Sequence, residues 1–484
     1  MEYRPIIGLE IHAELATASK MFCSCQNDPD EKQPNINICP ICMAHPGTLP
    51  VINKEAVKQV LRVGLALGGT LANFTEFDRK NYFYPDIPKG YQISQYKFPL
   101  VSGGELLGVK LTRIHLEEDT ARSQHIEAPR FDLKDAPRSN LGGSLIDFNR
   151  AGVPLMELVT EPVITSAKQA ADFARELRLV LRYLGVAEAN MEKGEMRVEA
   201  NVSVAKISRS NLGILGTKTE VKNINSFRAV EKAIEFEIKR QIAVLENGEK
   251  VIQETRGWDE NLGATFSQRK KESSHDYRYF PDPDLPKLWL KKISEFQNLG
   301  ETIPELPSQK RERLQKLKIQ DQDVEAYVSN PELAGFFDHV VAELQEPKLI
   351  KLASNYIAND LVKLLAGDHD LLQRLYVGFP DFIKLVAFGE VSSRGAKDIL
   401  AEMVRTGTPA RTIAESKNLF QQSNEGTLTE IIKKIIEANP KSVADFKAGK
   451  DAALQFLVGQ GMKESKGSAN PAVLKKLFVD FFKK

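Results

Sequence analysis

All four cysteines of the chain lie between positions 23 and 42. Cys23-Ser-Cys25 and Cys39-Pro-Ile-Cys42 are close pairs separated by thirteen residues, so one loop can gather four thiolates around a tetrahedral ion, for which zinc is the natural occupant. Four protein ligands leave no open position, which makes such a site structural. Two pairs of buried thiols are the plain alternative. A rival chemistry is that of the zinc deaminases, since His12-Ala-Glu14 and Cys39-Pro-Ile-Cys42 imitate their His-x-Glu and Pro-Cys-x-x-Cys elements. Ile38 stands where that pattern has proline, and the reading leaves Cys23 and Cys25 without work.

Carboxylates on strand-like runs form the second constellation. Alternation along Ile7 to Glu14 puts Ile7, Leu9, Ile11 and Ala13 on one face and Glu10, His12 and Glu14 on the other. In the run TRIHLEED, Glu118 aligns with the apolar Ile114 and Leu116, and in VPLMELV Glu157 aligns with Leu155 and Val159. A carboxylate on an apolar face needs a cation or hydrogen-bond donors. If these strands converge, Glu10, Glu118 and Glu157 with His12 beside them make an oxygen-rich set suited to magnesium and substrate phosphates. Salt bridges to Arg113, Arg122 or Arg150 are the ordinary alternative. The stretch 77–96 interleaves Arg79, Lys80 and Lys89 with Tyr82, Phe83, Tyr84, Tyr91 and Tyr96. Rings can stack on bases and cations meet phosphate, or the rings form a core under a proline-rich loop. No Gly-x-x-x-x-Gly-Lys-Ser/Thr loop, no Gly-x-Gly-x-x-Gly and no His-Glu-x-x-His occurs, and no amidase nucleophile is visible.

The elements that must position these residues follow from periodicity. The first half alternates strand-like runs with Gly/Pro turns, giving an α+β domain over 1–290 with the cysteine loop at 23–42. Ser166 caps a helix that stops at Gly185, and a second helix runs from about Ser226 to Gly248 with Val230, Ile234, Ile238 and Ile242 on one stripe. Helical patterning follows, divided by the Gly/Thr/Pro punctuation at 405–412 into an all-helical domain over 291–405 and a small helical tail over 406–484. The 484 residues carry 66 Lys and Arg against 65 Asp and Glu, so the molecule has no overall field to capture nucleic acid. The tail is different: residues 431–484 hold 11 Lys, among them Lys433, Lys434, Lys463, Lys466, Lys475, Lys476, Lys483 and Lys484, against 5 acidic residues. That surface suits RNA or simple solvation equally. No signal peptide and no membrane-length apolar run is visible, so a cytoplasmic, reducing location is expected, in which clustered cysteines favour metal over disulfides.

The runs IGLEIHAEL, FDRKNYFYPDIPKGYQISQY, RIHLEEDTAR, LIDFNRAGVPLMELVTEP, TEVKNINSFRAV, QETRGWDE and DYRYFPDPDLP, with the tail FLVGQGMKESKGSANP, closely resemble the B-subunit family of the tRNA-dependent amidotransferases, in order and over essentially the whole chain. The resemblance implies a cradle-shaped first domain, a helical domain and a YqeY-like tail that grips tRNA. It implies a heterotrimer with an amidase subunit (A) that frees ammonia from glutamine and a small subunit (C). In this chain ATP would phosphorylate the side-chain carboxylate of Glu-tRNA(Gln) or Asp-tRNA(Asn), and ammonia would complete the amide. Catalytic and magnesium roles fall on Glu10, His12, Glu118 and Glu157. Glu220 is a further candidate, with Lys222, Arg79 and Lys80 toward phosphate. The four-cysteine knot resembles the version that some family members carry. A non-catalytic tRNA-binding scaffold built on that knot is the competing class. Residues 126–140 look longer than the family's hairpin, and GQGMKESKG departs from its usual tail wording.

Overall fold

The computed structural model describes residues 3–28, 30–126, 143–206, 215–270, 277–421, 425–447, 449–465 and 469–483. The long loop expected at 126–140, apart from Ile126, and Lys466, Gly467 and Lys484 of the tail lie outside the described residues.

Two compact units divide the chain, Met1–Pro307 and Ser308–Lys484. In chain order the first carries β1 (Tyr3–Glu14), α1 (Lys54–Ala66), β2 (Thr70–Leu71), β3 (Asp78–Asn81), β4 (Tyr91–Ser94), β5 (Val101–Ser102), β6 (Glu105–Leu106), β7 (Val109–Glu118), β8 (Arg122–Ile126), β9 (Gly143–Asp147), β10 (Pro154–Thr160), α2 (Ala167–Tyr183), β11 (Met196–Lys206), β12 (Thr219–Ile224), α3 (Phe227–Glu246), β13 (Glu254–Asp259), β14 (Ala264–Lys270) and β15 (Phe280–Pro281). The α+β class expected from the alternation of runs is what forms. The main sheet runs β14-β13-β12-β11-β1-β10-β7-β5-β2, with β6 paired to β7, and a small sheet runs β15-β3-β4. In the main sheet β12 and β13 pair in parallel, whereas the central strands β11, β1, β10 and β7 pair antiparallel throughout.

Hydrophobic alternation decides which face of the sheet is covered. Ile7, Leu9, Ile11 and Ala13 of β1, Ile114 and Leu116 of β7, and Met156 and Leu158 of β10 are buried in one core with the apolar stripes of α1, α2 and α3. Both long helices begin where the sequence signals them: Ser166 Oγ accepts from the Gln169 N–H at 3.2 Å, and Ser226 Oγ accepts from the Ala229 N–H at 3.1 Å. Gly185 and Gly248 end them in the left-handed region, at φ 65° and 79°. The stretch after residue 290 goes to the first unit, because Leu290, Phe296 and Leu299 are buried in its core and Ile303 and Leu306 pack against it. Apolar residues here are spaced along short 3₁₀ turns, not along a helical stripe.

The second unit is helical from Pro307–Gln315 onward. Its last helices, between Glu425 and Lys483, close over Leu428, Ile432, Ile435, Leu457, Leu474 and Phe478. Among the described residues, no helix is long and apolar enough to cross a membrane.

Candidate active site

With one face of the sheet committed to the helices, the other face displays the alternate residues. Antiparallel register then writes a row across four strands: Arg197 of β11 opposes His12 of β1, His12 opposes Glu157 of β10, and Glu157 opposes His115 of β7. Glu117, two residues from His115, shares its face. His12 Nε2 lies 3.3 Å from Glu157 Oε2 and 3.7 Å from Glu117 Oε1, and His115 Nε2 lies 3.4 Å from Glu157 Oε2 and 3.8 Å from Glu117 Oε2. Two imidazoles and two carboxylates thus alternate around a nearly closed ring. Ser94 Oγ of β4 donates to Glu117 Oε2 at 2.9 Å, and Arg113 Nη2 stands 3.5 Å from Glu157 Oε1.

Charge in this row is tightly balanced. Burial alone would raise the pKa of Glu157, but His115 and His12 hold it well below the ordinary carboxylate range. Burial opposes the charged form of His115 as well, yet Glu157 and Glu117 push it up to about 9. The same contest raises His12, where the hydrogen bond and charge of Glu157 overcome burial. Glu10, next along β1 on this face, is raised by burial and by the neighbouring Glu157 carboxylate. Ion networks this deep are weak evidence for stability, and opposed shifts of this kind make the row a candidate site.

The donor set can hold metal in two overlapping ways. Ligand atoms of Glu10, His12 and Glu157 lie within 4.8 Å of one another, and so do those of His115, Glu117 and Glu157. Each triad joins one imidazole to two carboxylates and leaves positions open for phosphate oxygens, which fits a divalent cation.

Of the set expected if the strands converge, Glu10, His12 and Glu157 come together. Glu118 is a correction. It is 3% exposed, as its alignment with Ile114 and Leu116 requires, and it lies on the opposite side of β7 from Glu117. Its partners are the cation and the donor that a buried carboxylate needs: Lys89 Nζ at 2.8 Å and the Ile93 N–H at 2.9 Å. Glu118 is therefore apart from the metal-capable triads, and Glu117 stands in its place. Glu220 and Lys222 form a neighbouring group with Glu199, in which Lys222 Nζ is 2.8 Å from Glu199 and 3.6 Å from Glu220. Arg79 and Lys80 diverge. Arg79 is engaged by Asp282 at 2.8 Å and Asp284 at 3.0 Å and lies over the Tyr91 ring, whereas burial of Lys80 is outweighed by Glu117 and Glu157, with Tyr279 beside them, which raise its pKa.

One further group on this face titrates unusually. Glu14 is buried beside Asp119, and burial followed by the Asp119 charge pushes its pKa up to about 8, while Arg197 holds Asp119 at 2.7 Å. In the unfolded chain Glu14 ionises near 4.5, so its contribution is fully present below that pH and is lost as pH rises to about 8. Glu14→Gln removes the titration. Between pH 6 and 8.5 the natural chain should lose on the order of 2 kcal/mol more stability than the variant, read from chemical denaturation at each pH. Equal pH dependence of the two would refute the protonated state of Glu14.

The cysteines meet as their spacing requires. All four Sγ atoms lie within 4.8 Å of one another, and Cys39 and Cys42 are 3.9 Å apart. A tetrahedron with zinc–sulfur bonds of about 2.3 Å sets sulfurs about 3.8 Å apart. The set fits a closed tetrathiolate site. His12 belongs to the carboxylates and not to this group, so among the described residues the deaminase arrangement is absent.

A family model for the GatB/GatE catalytic domain matches residues 5–294, and one for the GatB domain matches 335–480. The chain is 43% identical to the B subunit of the aspartyl/glutamyl-tRNA(Asn/Gln) amidotransferase of Caldanaerobacter subterraneus subsp. tengcongensis, over 99% of this chain and 98% of that protein. It is 42% identical to the corresponding protein of Thermodesulfovibrio yellowstonii over the whole of both chains, and 40% identical to that of Synechocystis sp. over 98% and 97%. A sheet that sets acidic and imidazole side chains in a row, on a sequence matched end to end by these proteins, leads to one conclusion: the chain belongs to the GatB/GatE family of amidotransferase B subunits.

Proposed function

We propose that this chain is the component of a tRNA-dependent amidotransferase that activates the side-chain carboxylate of Glu-tRNA(Gln) or Asp-tRNA(Asn) with ATP and then receives ammonia. The observation that carries the reading is the buried ring of His12, Glu157, His115 and Glu117, which gathers two metal-capable triads at the centre of the sheet. A carboxylate is a poor acyl electrophile. Its oxygen attacks the γ-phosphorus, ADP departs, and the acyl phosphate so formed offers ammonia a carbon with a good leaving group. Magnesium held by Glu10, His12 and Glu157, or by His115, Glu117 and Glu157, would neutralise the charge of the transferring phosphoryl group. Lys80 and Lys222 face the same region as cations for phosphate oxygens. Ammonia has to come from a partner, so we assign the chain to a complex with an amidase subunit and a small subunit. Zinc at Cys23, Cys25, Cys39 and Cys42 is given a structural role.

The test is the complex supplied with ammonium chloride in place of glutamine. ADP should form only with magnesium and the mischarged tRNA together, and removal of either should stop it. Binding of tRNA without any ADP formation would favour a scaffold whose phosphoryl chemistry resides elsewhere.

The helices from Glu425 onward close over a core of their own and carry most of the tail lysines. Truncation after Gln421 should weaken tRNA binding steeply, and should lower the slope of log affinity against log salt by about 2 or more, since each phosphate contact contributes about 0.7 to 0.9. Filter binding at several salt concentrations reads this directly. An unchanged slope would remove the tail from the RNA contact.

A further inference from the structure

The small sheet beside the carboxylate–imidazole ring holds a connected set of tyrosines to which the phosphorylation chemistry gives no role. Asn81, the last residue of β3, donates from its backbone N–H and from Nδ2 to the Tyr277 carbonyl, each at 3.0 Å, which ties the segment entering β15 to the β3–β4 hairpin. Tyr82 and Tyr277 then meet edge to face at 6.3 Å, and Tyr277 meets Tyr279 in the same way at 6.0 Å. Tyr279 lies flat against Tyr96, with centroids 4.5 Å apart and planes 12° from parallel. Tyr96 is 63% exposed although Tyr279 covers one of its faces, and its backbone N–H is anchored by Asp78 Oδ2 at 2.9 Å.

This set and the reacting region are built on one hairpin. Lys80 of β3 has its Nζ 5.2 Å from the centroid of the Tyr277 ring, and Ser94 of the paired strand β4 donates to Glu117. The neighbouring cation, Arg79, is taken up by Asp282 and Asp284. An anchored, largely exposed aromatic ring, on the same hairpin as a lysine that lies close to the metal-capable carboxylates, is the combination that accepts a heteroaromatic base at one end and phosphate or ester oxygens at the other.

We propose that Tyr96, backed by Tyr279, is a stacking platform for an adenine ring, oriented so that the reacting end of the adenosine points past Lys80 to the carboxylate–imidazole ring. The inference rests on the proposed function, in which two substrates carry adenosine: ATP, and the 3′ end of the tRNA. The chemistry recognised is the same for both, and kinetics tell them apart.

The experiment uses the whole complex with ammonium chloride, and compares the natural chain with Tyr96→Ala, Tyr96→Leu and Tyr96→Phe. ADP release is measured with ATP varied at saturating mischarged tRNA, and with tRNA varied at saturating ATP. Loss of one stacked base costs at least about fivefold in affinity. Y96A and Y96L should therefore raise one KM by that factor or more and leave the other unchanged, with kcat lowered much less, and Y96F should restore the natural value. A rise confined to ATP assigns the platform to its adenine, and a rise confined to tRNA assigns it to the terminal adenosine. Unchanged KM values for both substrates, or Y96L behaving as Y96F does, would overturn the platform. If the natural complex releases no ADP at all, the functional reading fails first, and equilibrium binding of ATP and of tRNA to the same variants by calorimetry still decides the platform on the same criterion.

Discussion

Glu157→Gln should reduce tRNA-dependent ADP release by about 10³-fold or more while leaving tRNA affinity within about twofold. Glu157 is the one residue common to both metal-capable triads, and it contacts both imidazoles. Replacing it with the isosteric amide keeps the packing and an acceptor for one histidine, but removes the charge that holds the region ready for a cation. Loss of a single preorganised electrostatic group costs about 10² to 10³ in rate, and here the same change also removes a shared ligand. Most tRNA affinity should arise from phosphate contacts elsewhere, so binding persists. Glu118→Gln makes the informative contrast. Glu118 sits across the strand, paired with Lys89, so its replacement leaves a half-buried lysine without its counter-charge and should cost about 1 to 3 kcal/mol of stability, with magnesium affinity unchanged. Calorimetric titration of magnesium into both variants decides the matter: equal loss of metal binding would return Glu118 to the ligand set.

Cys42→Ser should empty the cysteine site of zinc and lower the melting temperature of the first unit by more than about 10 °C. Without a cation the four thiols cannot share one space as anions. Cys42 is pulled down to about 5, chiefly by a hydrogen bond from Cys23, while Cys23 is pushed up and Cys25 is raised to about 11 by burial and its neighbours. A divalent ion resolves that conflict. The loop it closes is tied into the unit by the fully buried Lys20, whose Nζ donates to the carbonyls of Asn37 at 2.7 Å and Phe148 at 3.1 Å. It also forms one wall of a cavity of about 290 Å³ that reaches Lys89, Tyr91 and Glu118. Zinc content by elemental analysis should fall from one per chain to near zero in Cys42→Ser and stay at one in His12→Ala. Zinc lost with His12 would revive the deaminase arrangement, and zinc retained without Cys42 would break the tetrathiolate.

Much of this architecture is legible in the chain itself. Period-two alternation sets Glu10, His12 and Glu14 on one side of their strand, opposite the apolar Ile7, Leu9, Ile11 and Ala13, whereas Glu157 shows only as a carboxylate in line with Leu155 and Val159 on a strand buried on both faces. Ser166 and Ser226 mark helix starts through the same capping chemistry that the structure displays. Register is what local sequence does not disclose. Glu118 and Glu157 both stand out as carboxylates in apolar rows, and both are buried, but on β7 the metal-capable group contains His115 and Glu117, on the other side of the strand from Glu118. The pair His-x-Glu in RIHLEED carries that signal at the same spacing as His12 and Glu14. Only the pairing of β7 with β10, and of β10 with β1, brings His115 and Glu117 together with His12 and Glu157 in one ring, from which Glu14 is left out, and strand order across the sheet leaves no local trace in sequence. Likewise Arg79 and Lys80 are neighbours with opposite fates, decided by Asp282 and Asp284, which lie 203 and 205 residues further along the chain from Arg79.

The central claim, that the tRNA-linked carboxylate is itself phosphorylated, is tested most directly by following its oxygen. Glu-tRNA(Gln) labelled with ¹⁸O in the side-chain carboxylate is turned over by the complex with ATP, magnesium and ammonium chloride, and the inorganic phosphate is collected for mass spectrometry. Attack on the γ-phosphorus carries one carboxylate oxygen onto phosphate, so one ¹⁸O should appear in phosphate for each amide formed. Amide formation with phosphate that carries no label would contradict the account.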